Sequence, residues 1–193
     1  RYGFRNFDSD KSSYWYRISP RFRVNDKIML IHNFNKESTS NGIGYVTTLS
    51  DSLSNQTIQF GKRNHNTTIN TLTTSYILNN KSSLSFRLRH YWSVVKYIEY
   101  YKLNKDGSTG NTSYSQPHDI NFNIFNIDLV YIWQFAPGSE ISVVWKNIIY
   151  SENDILKEDF FENFDNTINS PQTNSFSVKI LYYLDYHQLK RKK

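Results

Sequence analysis

The sequence predicts an all-β protein, an antiparallel up-and-down transmembrane β-barrel with nine or ten strands, either complete or the C-terminal part of a larger barrel, with residues 1–193 forming a single domain. Three observations lead there. Long stretches alternate apolar and polar residues with period two, short and long connections alternate along the chain, and Tyr and Phe supply much of the apolar surface. Only 38% of the 193 residues are hydrophobic while 17% are aromatic. No run approaches the roughly 20 apolar residues of a membrane helix. A barrel strand turns alternate residues toward a polar lumen, so a polar average is compatible with lipid-spanning strands.

Residues 1–7 read as a strand already under way at Arg1, and a piece of a longer protein is expected. The clearest pattern covers residues 14–24, where Tyr14, Tyr16, Ile18, Phe22 and Val24 alternate with Trp15, Arg17, Ser19, Arg21 and Arg23. Three arginines against a packed core would be buried charges without partners, so their face must meet water or counter-charge. Weaker alternation predicts strands over 28–35, 43–50, 57–62 and 67–78. Further on, Leu84, Phe86, Leu88, Trp92 and Val94 oppose Ser85, Arg87, Arg89 and Ser93. In residues 125–135, Phe125, Ile127, Leu129, Tyr131, Trp133 and Phe135 oppose Asn126, Asp128 and Gln134, and in 140–146 Ile141, Val143 and Trp145 oppose Glu140, Ser142 and Lys146. The last predicted strand covers residues 175–189, with Phe176, Val178, Ile180, Tyr182, Leu184 and Tyr186 on one face.

Connection lengths supply an independent test, because outer-membrane barrels pair short periplasmic turns with longer outside loops. Working back from a periplasmic C-terminus, 152–174 is long, 136–139 short, 104–118 long and 79–81 short. Residues 25–27 make a short turn where one is due, and 36–42 a longer outside loop. Asn25-Asp26, Asn79-Asn80 and Pro137-Gly138 tolerate tight-turn dihedrals. Gly42, Gly44, Gly107 and Gly110 are read as turn residues. Residues 154–164 look like a short helix or lid in the longest outside loop. Tyr14, Trp15, Tyr91, Trp92, Trp133 and Trp145 are placed to form interfacial girdles.

The alternation assigns faces. Arg17, Arg21, Arg23, Arg87, Arg89, Lys146 and Lys179, with Asp128, Glu140 and Asp185, are expected toward the lumen. Tyr16, Ile18, Phe22, Leu88, Leu129, Tyr131, Trp133, Val143, Val178, Ile180, Tyr182 and Leu184 are expected toward lipid. Basic residues outnumber acidic ones in the first set. Such a lumen favours anions, or its arginines pair with carboxylates and stiffen the wall.

Other chemistries find no support. The net charge is +6, but the Lys and Arg residues are scattered apart from the tail Lys190, Arg191, Lys192 and Lys193, and no nucleic-acid recognition motif accompanies them. There is no cysteine, and His32, His65, His90, His118 and His187 form no pair with metal-ligand spacing. No nucleophile elbow or phosphate loop occurs. Glu158 with Asp159, and Glu162 with Asp165, read as solvated loop charge rather than an acid–base couple. No enzyme activity, metal or cofactor is expected.

Three segments carry a resemblance: Phe60-Gly61-Lys62-Arg63 leading to residues 83–93, then Trp133-Gln134-Phe135-Ala136-Pro137-Gly138-Ser139-Glu140, then Tyr182-Tyr183-Leu184-Asp185-Tyr186. Together they resemble a Bacteroidota family of outer-membrane proteins of unknown function, in which a carbohydrate-binding domain of the family-nine type precedes a C-terminal barrel. The resemblance covers about the last two thirds of the chain. It implies a barrel and supplies no catalytic or ligand residues. Many such barrels end on an aromatic insertion signal, whereas this chain runs on to four basic residues, so a signal around 182–186 and a plain lipid-facing strand both stand as readings.

The expected function is therefore an integral outer-membrane channel, transporter or anchor with a basic lumen, in contact with outer-membrane lipid or lipopolysaccharide. Two alternatives stand beside it: a surface module gripping glycan with Tyr100, Tyr101, Tyr114, Phe160, Phe161 and Phe164, and a component or client of a larger outer-membrane assembly.

Overall fold

The structure, a computed structural model, describes residues 1–6, 10–51, 55–157 and 159–184. Its strands are β1 (Tyr2–Asn6), β2 (Ser12–Ile18), β3 (Arg21–Arg23), β4 (Ile28–Ser50), β5 (Gln56–Asn79), β6 (Ser82–Leu103), β7 (Thr109–Asn111), β8 (Ile120–Ala136), β9 (Ser139–Asn153) and β10 (Gln172–Leu181), with one helix, α1 (Phe160–Ile168), before the last strand. All ten strands join one antiparallel sheet in the order β1-β2-β4-β5-β6-β8-β9-β10, with β3 beside β4 and β7 beside β6. Each neighbour in space is the next pass in the chain. The sheet is open rather than closed among the described residues, with β1 and β10 as its edges.

Strand continuity departs from expectation in three places. Residues 36–42 are not an outside loop but part of β4, and 63–66 lie inside β5, so four anticipated strands are two, of 23 and 24 residues. Here Lys36, Ser38 and Thr39 face Thr68, Asn66 and His65 across the ladder. Backbone hydrogen bonds carry the strand through a stretch with no apolar alternation to reveal it. A bulge absorbs the irregularity between Thr39 and Gly42, where Asn41 takes φ 57° and its N–H donates to Asn64 Oδ1 at 3.0 Å. Conversely, the anticipated strand 14–24 is broken at Ser19-Pro20 into β2 and β3, because proline brings no backbone donor. Strand β10 starts earlier than anticipated and stops at Leu181; Tyr182, Tyr183 and Leu184 lie beyond it, and the rest of the anticipated strand lies outside the described residues.

The turns at one end are short: 24–27, 80–81 and 137–138. Asn25 Oδ1 accepts from the N–H groups of Lys27 and Ile28, both at 2.9 Å, and Asn79 Oδ1 from Lys81 N–H at 2.8 Å. Gly138 takes φ 71°, which a residue with a Cβ adopts only with strain. The opposite end carries 104–119 and the described residues of the 51–55 and 154–171 connections.

Gly42 and Gly44 belong to β4 rather than to turns, and Gly61 lies directly opposite Gly44. A Cβ on Gly61 would sit 2.5 Å from the Tyr97 ring, and one on Gly44 would sit 2.8 Å from the Arg63 guanidinium. Both glycines therefore make room for a neighbour's side chain to lie flat on the sheet.

Little of the molecule has an interior. Trp92, Phe125 and Ile149 are the buried apolar side chains among the described residues, while Phe22, Phe176, Val178 and Ile180 are 58–73% exposed. Gly61→Ala is expected to lower stability by roughly 1–3 kcal/mol through the clash with Tyr97. Gly42→Ala, whose nearest neighbouring atom is Thr39 Cγ2 at 3.5 Å, should be tolerated. Urea unfolding of both variants checks this, and equal destabilisation would contradict it.

Candidate functional site

Residues opposite one another in an antiparallel pair share a face, so the register traces rows across the whole sheet. One row runs Arg21, Ile31, Thr73, Arg87, Asp128, Lys146 and Ser175. One residue along each strand, on the opposite face, runs Phe22, Leu30, Thr74, Phe86, Leu129, Trp145 and Phe176. The same parity places Arg17, Arg23, Arg89, Glu140 and Lys179 with the first row, on the basic face. It places Tyr16, Ile18, Leu88, Tyr131, Trp133, Val143, Val178 and Ile180 with the second, on the apolar face. Tyr182 and Leu184 are exposed beyond β10, the Tyr182 ring stacking on Phe135 at 6.2 Å, and Asp185 lies outside the described residues. The supposed girdle divides: Trp15 and Tyr91 are on the basic face, while Tyr14, Trp92, Trp133 and Trp145 are on the apolar one.

On the basic face, Asp128 stands in register between Arg87 and Lys146. The ion pair found among the described residues is elsewhere, between Lys157 and Glu162. Arg17 donates through Nε to Asn35 Oδ1, and the Arg89 guanidinium lies 5.9 Å from the centroid of the Tyr91 ring. Arg21, Arg23, Arg87, Lys146 and Lys179 have no carboxylate in ion-pair contact among the described residues.

Toward the loop end, residues 104–119 fold onto the basic face of the projecting strands. Tyr97 and Tyr100 stack at 5.6 Å, Tyr114 meets Tyr100 edge-on at 5.4 Å, and the Tyr114 hydroxyl is hydrogen-bonded to His118 Nε2. Arg63 lies over Tyr97 and donates to its hydroxyl at 2.6 Å, using the space left by Gly44 and Gly61. Asp119 Oδ1 secures the same residue by accepting the Tyr97 N–H at 2.7 Å. Burial pushes the Tyr100 hydroxyl above its ordinary pKa. His65, joined to Ser93 Oγ at 2.8 Å, is held below the ordinary imidazole value, first by burial and then by the Arg63 charge, against a smaller upward pull from Glu37.

Beyond this cluster, Leu49, Thr57, Gln59, Lys102, Asn111 and Tyr114 help line an open polar groove of about 560 Å³. Gln59 is 2% exposed, and its Oε1 has no hydrogen-bond partner among the described residues. The six aromatics suggested for glycan do not form one surface: Tyr100 and Tyr114 lie on the basic face, whereas Phe160 and Phe164 pack on the apolar face against His90, Trp92 and Phe125. The Tyr101 hydroxyl turns to Glu99. Helix α1 begins later than anticipated, with Asp159 as its cap. No group of three or more ligand-type side chains capable of holding a metal occurs among the described residues.

The family described as a domain of unknown function (DUF5916) matches residues 1–193. The chain belongs to this family. No curated protein and no solved structure matches it. In this DUF5916 chain, sequence reasoning missed the Arg63–Tyr97 assembly and the groove. The first had a signal in Gly44 and Gly61, which face each other; the groove depends on how 104–119 folds back, and had none.

The His65 imidazole should titrate below the usual histidine value, and Arg63→Gln should move it upward by removing a cation. NMR titration of the ring checks both directions; an unchanged or lower midpoint in the variant would contradict the assignment. Because the folded state takes up this proton later than the unfolded chain does, stability should fall as pH drops from the ordinary imidazole value toward the folded one.

Proposed function

We propose that this chain is a barrel-forming domain of an outer-membrane protein, in a family whose full-length Bacteroidota members place it C-terminally, and that it acts as an anion-leaning pore with its short turns and C-terminus periplasmic. The observation that carries the reading is the pair of adjacent rows on opposite faces of one continuous sheet, one of Phe, Leu and Trp interrupted by Thr74 and the other setting Arg, Asp and Lys beside Ile31, Thr73 and Ser175. A polar row and an apolar row one residue apart need two different solvents. Exposed apolar surface beyond a few hundred Å² ordinarily marks an interface. Along β8 the apolar side chains run from Trp133 to Phe125, roughly 27 Å of strand and about 20 Å of height at a tilt near 40°, comparable with the ~25 Å band of outer-membrane barrels, while the rows nearest the loops also hold Asn147, His90 and Asn70.

In hydrocarbon, each unpaired backbone group costs several kcal/mol. The reading therefore requires the outer edges of β1 and β10 to be covered, by one another, by further strands of the same protein, or by a partner in a larger assembly. A wall with unpaired arginines would attract anions, and the neighbouring Asp128 only partly offsets them.

The full chain refolded into liposomes should migrate as a compact, heat-modifiable band, and reversal potentials across planar bilayers should favour chloride over potassium. The combined changes Arg87→Gln, Arg89→Gln and Lys146→Gln should reduce that preference several-fold. Cation preference in the unaltered chain would overturn the anion assignment, and solubility as a monomer without detergent would overturn the membrane reading.

One observation favours a second role at the mouth. Gln59 presents a buried acceptor without a partner among the described residues, in a groove whose hydroxyl and amide side chains and Tyr114 stand beside Lys102, Asp51 and Leu49, a setting suited to a hydroxyl-rich ligand such as a saccharide. Binding of soluble oligosaccharides to the full chain, followed by calorimetry, should weaken about tenfold in Gln59→Ala; equal affinity in the variant would exclude the groove.

A further inference from the structure

Helix α1 sorts part of its surface contrary to a helix in water. It buries Asn163 and Thr167, each 1% exposed, and leaves Phe161 76% and Ile168 39% exposed. The buried polar pair is anchored: Asn163 Oδ1 accepts from Asn121 and Asn123 at 3.2 and 3.1 Å, its Nδ2 donates to Asn123 Oδ1 at 2.7 Å, and Thr167 Oγ1 donates to the Asn163 carbonyl at 2.8 Å. Beside it, Phe160 and Phe164 enclose His90 at 5.6 and 5.3 Å, and Phe164 meets Phe125 at 5.7 Å.

These contacts orient the helix on the apolar face. Asn121 and Asn123 lie nearer the loop end of β8 than Phe125 does, so the asparagine side of α1 points toward the loops and the Phe164 side toward the apolar rows. At 100° per residue, Phe161 and Ile168 fall on a single stripe flanking Phe164, on that same side, whereas the exposed Glu162 and Asn166 occupy the outward and loop-ward side and Asp165 points outward, about 40° round from Phe161. The stripe therefore continues the apolar rows outward from the strand surface.

We infer that α1 is an interfacial helix whose partner is the outer leaflet: Phe161 and Ile168 enter the acyl region at its upper boundary, Glu162 and Asp165 remain among headgroups and water, and the asparagine mount sets the depth at which the sheet sits. The inference rests on the membrane reading above and adds where the bilayer ends and which side chains grip it. Amphipathic helices lie in the interface in this manner, with one flank buried several ångströms.

The chain has no cysteine, so single-cysteine spin labels report one site each. Phe161→Cys, Ile168→Cys, Glu162→Cys and Asp165→Cys are labelled in the full chain in proteoliposomes, with Val143→Cys and Val178→Cys as markers of the apolar rows. The ratio of oxygen to nickel-chelate accessibility should be several-fold higher at 161 and 168 than at 162 and 165, approaching that at 143 and 178. Labels at 161 and 168 as water-accessible as those at 162 and 165, with 143 and 178 still in lipid, would overturn the helix assignment and leave the membrane reading standing. Water accessibility at 143 and 178 as well would overturn both. All four helix positions are surface exposed, so the substitutions leave the packed side of α1 untouched.

Discussion

The hydrogen-bonded register of the antiparallel ladder is the constraint on which the other features depend. From β2 to β10 it holds Arg21, Arg87 and Lys146 in one row and Phe22, Phe86 and Trp145 in the row behind it. Because side chains alternate at every residue, slipping one strand by a single position would set its arginines among phenylalanines and its leucines among aspartates. Where both faces are polar, as along 36–42 and 63–66, the pattern specifies register weakly, and there the Asn41–Asn64 bond and the Thr39–Gly42 bulge mark the adjustment.

The two long connections use the sheet differently. Residues 104–119 fold onto the basic face, where stacked tyrosines, His118 and Arg63 hold them close to the sheet. Helix α1, in the 154–171 connection, lies on the apolar face, where Phe160 and Phe164 pack against Trp92 and Phe125 and Asn163 satisfies the asparagines above them. Each uses polar groups to reach its position: the Tyr97 N–H to Asp119 bond in one, the Asn121–Asn123–Asn163 network in the other. Buried amides are tolerable there because they bond one another.

A thin interior follows from this arrangement. A sheet covered by protein on both faces would bury aromatic side chains in quantity, whereas here Phe176, Val178 and Ile180 stand open on β10. The cohesion of the described residues therefore comes chiefly from backbone pairing along strands of up to 24 residues, from cross-strand contacts such as Trp145 with Phe176, and from side chains lying flat over glycines.

Much of the fold was legible because face membership is a local property: parity alone placed Arg17 opposite Tyr16, and Arg87 opposite Leu88, before any partner strand was known. The short turns were legible for a similar reason, since Asn25, Asn79 and Gly138 carry their turn chemistry in their own backbone and side chain. Strand continuity was not, because the polar stretches of β4 and β5 are held by hydrogen bonds to residues about 20–40 positions away rather than by apolar alternation. Nor was the fate of the loops: Tyr114 could reach Tyr100, and Asn163 could reach Asn123, only once the meander had set their landing faces. The sequence by itself thus determined which residues share a side of the sheet and where it turns. The tertiary structure alone decided how far each strand runs, that the sheet stays open among the described residues, and which face each long connection covers, because those depend on pairing between residues distant in the chain.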